Sequence, residues 1–171
     1  MKKLLSLCMA VVMLLGFSIP ALASVEATAD LITDGGDNPT DVGDLVVNFD
    51  SASGNITVDF TSIVAPWELV ETHVYISTVE APQKHTPGKF PYIGGQSVNV
   101  GSGQLVYIAA HGEIRQWIPP EGEIPGYYIY ETVWAQETED GVIDNTLIRG
   151  NGRKGNAWAT FFTITTPAAE P

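Results

Sequence analysis

Beyond residue 40 apolar and polar side chains alternate along much of the chain. In Asp44–Asp50, Leu45, Val47 and Phe49 fall on one side and Val46 and Asn48 on the other. In Ile56–Thr61, Ile56, Val58 and Phe60 alternate with Thr57, Asp59 and Thr61. A period of two marks a strand with one face buried, because successive side chains point to opposite faces. Ser51–Asn55 lies between them, and Gly54 and Asn55 tolerate the positive φ of a tight turn. The pair predicts a β-hairpin. Glu71–Ser77 continues the pattern, with Thr72, Val74 and Ile76 set against Glu71, His73 and Tyr75. Gln96–Val100 reads as a short strand. Leu105–His111 is apolar on both faces, which predicts a central strand. Tyr127–Gln136 and Ala157–Thr165 are rich in the aromatic and β-branched residues that suit a pleated sheet. No stretch carries a capped stripe of period 3.6. The expected fold is all-β, an antiparallel β-sandwich of jelly-roll or Ig-like kind with little helix.

The ends read differently. Met1-Lys2-Lys3 is followed by an apolar run from Leu4 to Ile19 and by Ala21-Leu22-Ala23, the arrangement of a secretory signal peptide cut after Ala23. The run is shorter than the roughly 20 apolar residues that span a bilayer. The expected organisation is therefore a signal peptide over 1–23, an acidic leader over 24–40 with at most one short strand, a β-sandwich domain over 41–166 and a tail over 167–171. Three segments, Glu80–Gly95, Gly112–Gly126 and Glu137–Asn156, read as long loops, the places where binding residues concentrate.

Composition narrows the function. The chain has 171 residues, 8 basic against 20 acidic side chains and a formal charge of −12. Binding to nucleic acid needs Lys and Arg to neutralise phosphates, so no nucleic-acid partner is expected. Cys8, the single cysteine, leaves with the signal peptide, which excludes a disulfide framework and any Cys-rich zinc site in the remainder. The expected location is secreted or periplasmic, without stable membrane insertion once the signal is removed.

Five blocks occur in order: Glu71-Thr72-His73-Val74-Tyr75, Pro87-Gly88-Lys89-Phe90-Pro91-Tyr92, Tyr107-Ile108-Ala109-Ala110-His111, Glu131-Thr132-Val133-Trp134-Ala135 and Asn156-Ala157-Trp158-Ala159-Thr160-Phe161-Phe162. The series ETHVY, PGKFPY, YIAAH, ETVWA and NAWATFF resembles an uncharacterised family of exported bacterial and archaeal proteins. The resemblance spans about residues 42–163. It implies export and a single domain, and no mechanism.

Three groups of residues carry candidate chemistry. Glu71, His73, His111 and Glu131 lie on or at the ends of predicted strands, and two imidazoles with two carboxylates would suit a divalent transition metal ion if those strands were neighbours. Asp34, Asp37, Asp41 and Asp44 surround glycines in a manner calcium accepts, but without the spacing of an EF-hand. Phe90, Tyr92 and Trp117 sit in predicted loops, where aromatic faces stack on sugar rings or partner surfaces. Nucleophilic catalysis has no motif: there is no G-x-S-x-G elbow, and Gly150–Gly155 lacks the strand-then-helix setting of a phosphate loop. The expected function is a secreted, non-catalytic binding or matrix protein meeting an extracellular polymer or itself. One rival is an assembly subunit adding its N-terminal segment to a neighbour's sheet. The other is a metal-binding protein or metal-dependent enzyme using the His/Glu group.

Overall fold

The computed structural model describes residues 24–33, 40–82, 87–136, 146–148 and 159–169. Residues 1–23, expected as a signal peptide, Asp34, Asp37, Trp158 and the glycine-rich segment 150–155 lie outside these residues. The fold is antiparallel all-β. Its strands are β1 (Ser24–Thr33), β2 (Asp41–Asp50), β3 (Asn55–Thr61), β4 (Glu68–Ser77), β5 (Val98–Asn99), β6 (Leu105–Ile118), β7 (Tyr127–Gln136), β8 (Thr146–Ile148) and β9 (Ala159–Thr165). The described helix is one 3-10 turn at Pro87–Lys89.

The strands form one sheet in the order β5-β3-β2-β1-β7-β6-β9-β8, with β4 also paired to β6. Strand β6 organises it. Residues Tyr107–Arg115 pair with β4 along one edge. The opposite edge takes β9 over Leu105–Ile108 and β7 over His111–Ile118. The segment leading to β5 then stitches β4 to β3. Val74 and Tyr92 exchange backbone hydrogen bonds of 2.8 and 3.1 Å, and the Gly95 N–H donates to the Val58 carbonyl at 2.9 Å. The continuous sheet thus curls into a near-barrel whose facing halves enclose the core.

Alternation decides which side chains line that core. Leu45, Val47, Phe49, Ile56, Val58, Val74 and Ile76 are buried, as the period of two predicts, and Phe60 packs half-buried against them. From β6 come Val106, Ile108, Ala110 and Ile114, and from β9 Phe162, all at zero exposure. Gly112 continues the inward row of β6 where two neighbours press close. A Cβ there would lie 3.0 Å from Val133 Cγ2 and 3.2 Å from Phe60 Cε1.

Three segments differ from the expectation, one of them briefly: β8 (Thr146–Ile148) lies within the expected loop Glu137–Asn156 and pairs with β9. Ser24–Thr33, expected as an exposed leader, is a ten-residue strand lying between β2 and β7. Ala29 and Leu31 are fully buried, and their small and apolar side chains at alternate positions carry the strand signal among the acidic residues. This segment completes the chain's own sheet. Gly112–Ile118, expected within a loop, extends β6 to 14 residues, because Tyr127–Tyr130 lies alongside to receive its hydrogen bonds.

A second, smaller core lies on the outer face. Phe90, Ala109, Trp134 and Phe161 are buried together, with Tyr75, Ala81 and Tyr107 packed around them. The proline-rich segment after β4 therefore covers the sheet. Ala109 faces this cluster and Ala110 the main core, so β6 is buried on both sides, which accounts for its unbroken apolar run.

Truncation tests both assignments. Leu31→Ala should cost about 2–5 kcal/mol and Phe162→Ala about 3–5 kcal/mol in denaturant unfolding. Phe60→Ala should cost less than Phe162→Ala because its ring is half-exposed. A change below about 1 kcal/mol at Leu31 would place Ser24–Thr33 outside the cooperative unit.

Candidate functional site

The pairing of β4, β6 and β7 sets which side chains share the outer face. His73 is opposite His111, and His111 is opposite Trp134. One step along, Glu71 is opposite Glu113 and Glu113 opposite Thr132. Beyond these, Arg115 is opposite Tyr130 and Trp117 opposite Tyr128. Paired residues point to the same face of a sheet. A row of polar and aromatic groups therefore runs from the second core out along the β6–β7 hairpin.

The histidine end contains three of the four residues suggested as metal ligands. The His73 and His111 rings are 5.8 Å apart between centroids and stacked at 30°. Glu71 Oε1 lies 3.1 Å from His73 Nε2. Glu131 does not join them. It pairs with Ile114, whose side chain is in the main core, so it lies on the opposite face of β7 from Trp134. An odd separation from Trp134 in an extended strand guarantees this. Glu113 takes the place proposed for Glu131. It was missed because Gly112–Gly126 was expected as a loop; with β6 running on to Ile118, Glu113 falls two residues from His111 on the same face. Among the described residues no three or more His, Cys, Asp or Glu side chains are gathered so as to hold a metal ion. A shared ion needs imidazole lone pairs, which lie in the ring plane, to converge at about 2 Å, whereas these two rings meet in a stack.

His111 is the most constrained of the group. Its ring lies 4.9 Å from that of Trp134. Its Nδ1 is buried and has no hydrogen-bond partner among the described residues. Burial, and next the neighbouring His73, lower its pKa from 6.5 to about 4. At neutral pH it is an uncharged ring that packs like an aromatic one.

The far end of the row is aromatic and exposed. Trp117 is 47% exposed, Tyr128 41% and Tyr130 53%. Ring centroids are 5.0 Å apart for Trp117–Tyr128 and 6.4 Å for Tyr128–Tyr130. Arg115 lies 4.6 Å above the Tyr128 ring, and its Nε donates to Glu68 Oε2 at 3.0 Å. That hydrogen bond is the main reason the guanidinium pKa is raised above its ordinary value. The hairpin closes through paired hydrogen bonds between Glu121 and Ile124 of 3.1 and 3.0 Å. Gly126 matters here: a Cβ at that position would overlap the Trp117 indole, so glycine lets the indole lie against the backbone.

Trp117 is exposed, on a strand rather than the expected loop. Phe90 is not: it is 7% exposed and meets Trp134 edge-on at 6.3 Å. Tyr92 is half-buried, packs against the main core and joins β4 through its backbone. Both serve as cover and closure. Tyr128 and Tyr130 are exposed beside Trp117 on the same face, with Arg115 over the Tyr128 ring. Their alternation with Ile129 and Gln116 was the available signal.

Of the suggested calcium ligands, Asp34 and Asp37 lie outside the described residues. Asp41 is exposed, and its Oδ1 accepts from the Gly43 N–H at 3.1 Å. Asp44 is opposite Asp30. Burial, then Asp41 and Asp44, raise the Asp30 pKa above its ordinary value. These three carboxylates repel one another, and among the described residues no group of His, Cys, Asp or Glu is gathered around a cation position.

Comparison with protein-family models, curated proteins and solved structures finds no match. Among the described residues no helix is long and apolar enough to cross a membrane.

A pH dependence follows from His111. Its folded pKa is depressed, so below about 6.5 the unfolded state binds a proton that the native state refuses. The stability contributed by neutral His111 is present above about pH 6.5 and is lost as pH falls towards 4. The melting temperature should fall over that window, and His111→Phe should flatten the slope. Equal slopes in both proteins would remove His111 as the cause.

Proposed function

We propose that this chain is an exported, non-catalytic binding protein that contacts a neutral extracellular polysaccharide through the outer face of the β6–β7 hairpin. The observation that carries the reading is the exposure of Trp117, Tyr128 and Tyr130 on one face of a two-stranded ribbon. Large aromatic rings are ordinarily buried, because each withdraws roughly 150–250 Å² from water. Three adjacent exposed rings form a surface that gains by being covered.

The chemistry of that surface points to sugar. Aromatic faces accept the C–H-rich faces of pyranose rings. Glu113, Glu121 and Glu123 supply acceptors for hydroxyl groups at the margin. The Arg115 charge is already taken up by Glu68 and Tyr128, so little remains to attract an anionic polymer. The charge of −12 also disfavours polyanions. Export is supported by the signal-like segment 1–23. Strands position the rings more rigidly than loops would, which lowers the ordering cost of binding.

Sedimentation of residues 24–171 with insoluble polysaccharides, cellulose, chitin and cell-wall sacculi, tests the proposal. At least one should retain the protein. Trp117→Ala and Tyr130→Ala should each weaken retention about tenfold, equivalent to about 1.4 kcal/mol, while the protein still unfolds in one cooperative transition. Retention by none, or unchanged retention by both variants, would overturn it.

A further inference from the structure

We infer that the polysaccharide met by the β6–β7 face is a separate, hydrated chain and not the flat surface of a crystalline polymer. The inference rests on the polysaccharide reading and names the physical form of its ligand. Its ground is the tilt of the three exposed rings. Trp117 and Tyr128 are inclined at 59° with centroids 5.0 Å apart, and Tyr128 and Tyr130 at 52° with centroids 6.4 Å apart. Tyr128 is thus turned steeply away from both neighbours. A plane laid against its ring meets Trp117 and Tyr130 obliquely, and a plane laid against either of those meets Tyr128 obliquely. A crystal face offers a single plane, so its sugars cannot stack on adjacent rings of this set. In a separate chain each sugar turns about its glycosidic bonds. Neighbouring sugars then present differently inclined faces to neighbouring aromatic rings.

The tilt is held in place. A Cβ at Gly126 would overlap the Trp117 indole, which therefore rests directly on that backbone. The Arg115 guanidinium lies 4.6 Å over the Tyr128 ring and is itself tied to Glu68 by a hydrogen bond of 3.0 Å. Swinging the rings into one plane gives up these contacts. A chain that adapts to the rings leaves them intact, and groups already in position bind at a lower ordering cost. The polar groups beside the rings fit the same ligand. Arg115 is two residues from Trp117 on the same face and partly exposed, and Glu68 is exposed. Nε serves Glu68, and a guanidinium has further N–H donors. The hydroxyl groups of a separate chain are open to such donors along both edges. Those within a crystal face are largely bonded to neighbouring chains.

The test compares two physical forms of one polymer, using residues 24–171. Cellulose and chitin are each presented crystalline and acid-swollen, beside cell-wall sacculi. Binding is read as the half-saturating protein concentration, so that differences in surface area do not enter. A swollen polymer should be half-saturated at a concentration about tenfold lower than its crystalline form, because only the swollen form offers separate chains to preset rings. Soluble oligosaccharides of the retaining polymer, or solubilised sacculi where these alone retain the protein, should bind in calorimetry. Trp117→Ala and Tyr130→Ala, on either side of Tyr128, should each weaken that binding about tenfold. Equal or tighter binding to the crystalline form would overturn the inference and leave the polysaccharide reading standing. So would soluble fragments that do not bind, or that bind both variants as well as the parent protein. Retention by no polymer in either form would overturn the polysaccharide reading and the inference with it.

Discussion

Burial of strand β6 on both faces is the constraint on which the rest of the structure depends. Its inward row, Val106, Ile108, Ala110 and Ile114, fills the main core, while Ala109 sits in the outer cluster with Phe90 and Trp134. A strand covered on both sides cannot lie at an edge, so β4 occupies one flank and β9 and β7 share the other. The small residues Ala109, Ala110 and Gly112 let the neighbours come close. Three strands converge on it because its 14 residues outrun the length of any one partner.

That length produces the hairpin. Pairing with β4 ends at Arg115, and Gln116–Ile118 is held by β7 alone. A two-stranded ribbon is marginal in water unless side chains hold it together. Here Trp117 packs on Tyr128 and Gly126, and Arg115 bridges Tyr128 to Glu68. The same contacts hold the rings in place at the surface. Stabilisation of the ribbon and presentation of an aromatic face are one arrangement.

The histidines show the opposite economy. Cross-strand pairing brings His73 and His111 together, but their mutual stack and the edge contact of His111 with Trp134 use the rings as packing surface. The low pKa of His111 follows from that burial. Glu71 and Glu113, side by side on the same face, leave the group acidic at its exposed margin.

Much of the fold was legible along the chain. The alternation in Asp44–Asp50, Ile56–Thr61 and Glu71–Ser77 fixed both strand and inward face, because a strand's side-chain period is a local property of its backbone. The two-sided run Leu105–His111 marked a central strand for the same reason. Strand β1 was obscured by its acidic, small composition, since only its neighbours bury Ala29 and Leu31. The site was legible only in part. His73, His111, Glu71 and Trp117 were identifiable by type, but membership of one face depends on register, which long-range hydrogen bonding sets. Parity within β7 separates Glu131 from Trp134, and the continuation of β6 past His111, held by its pairing with β7, sets Glu113 on the histidine face. Burial of Phe90 and exposure of Tyr128 and Tyr130 were likewise decided by what the folded chain lays over each segment. Composition and periodicity determined the class and most strands of this protein. Strand pairing, a contact between residues far apart in sequence, decided which of its side chains can act together.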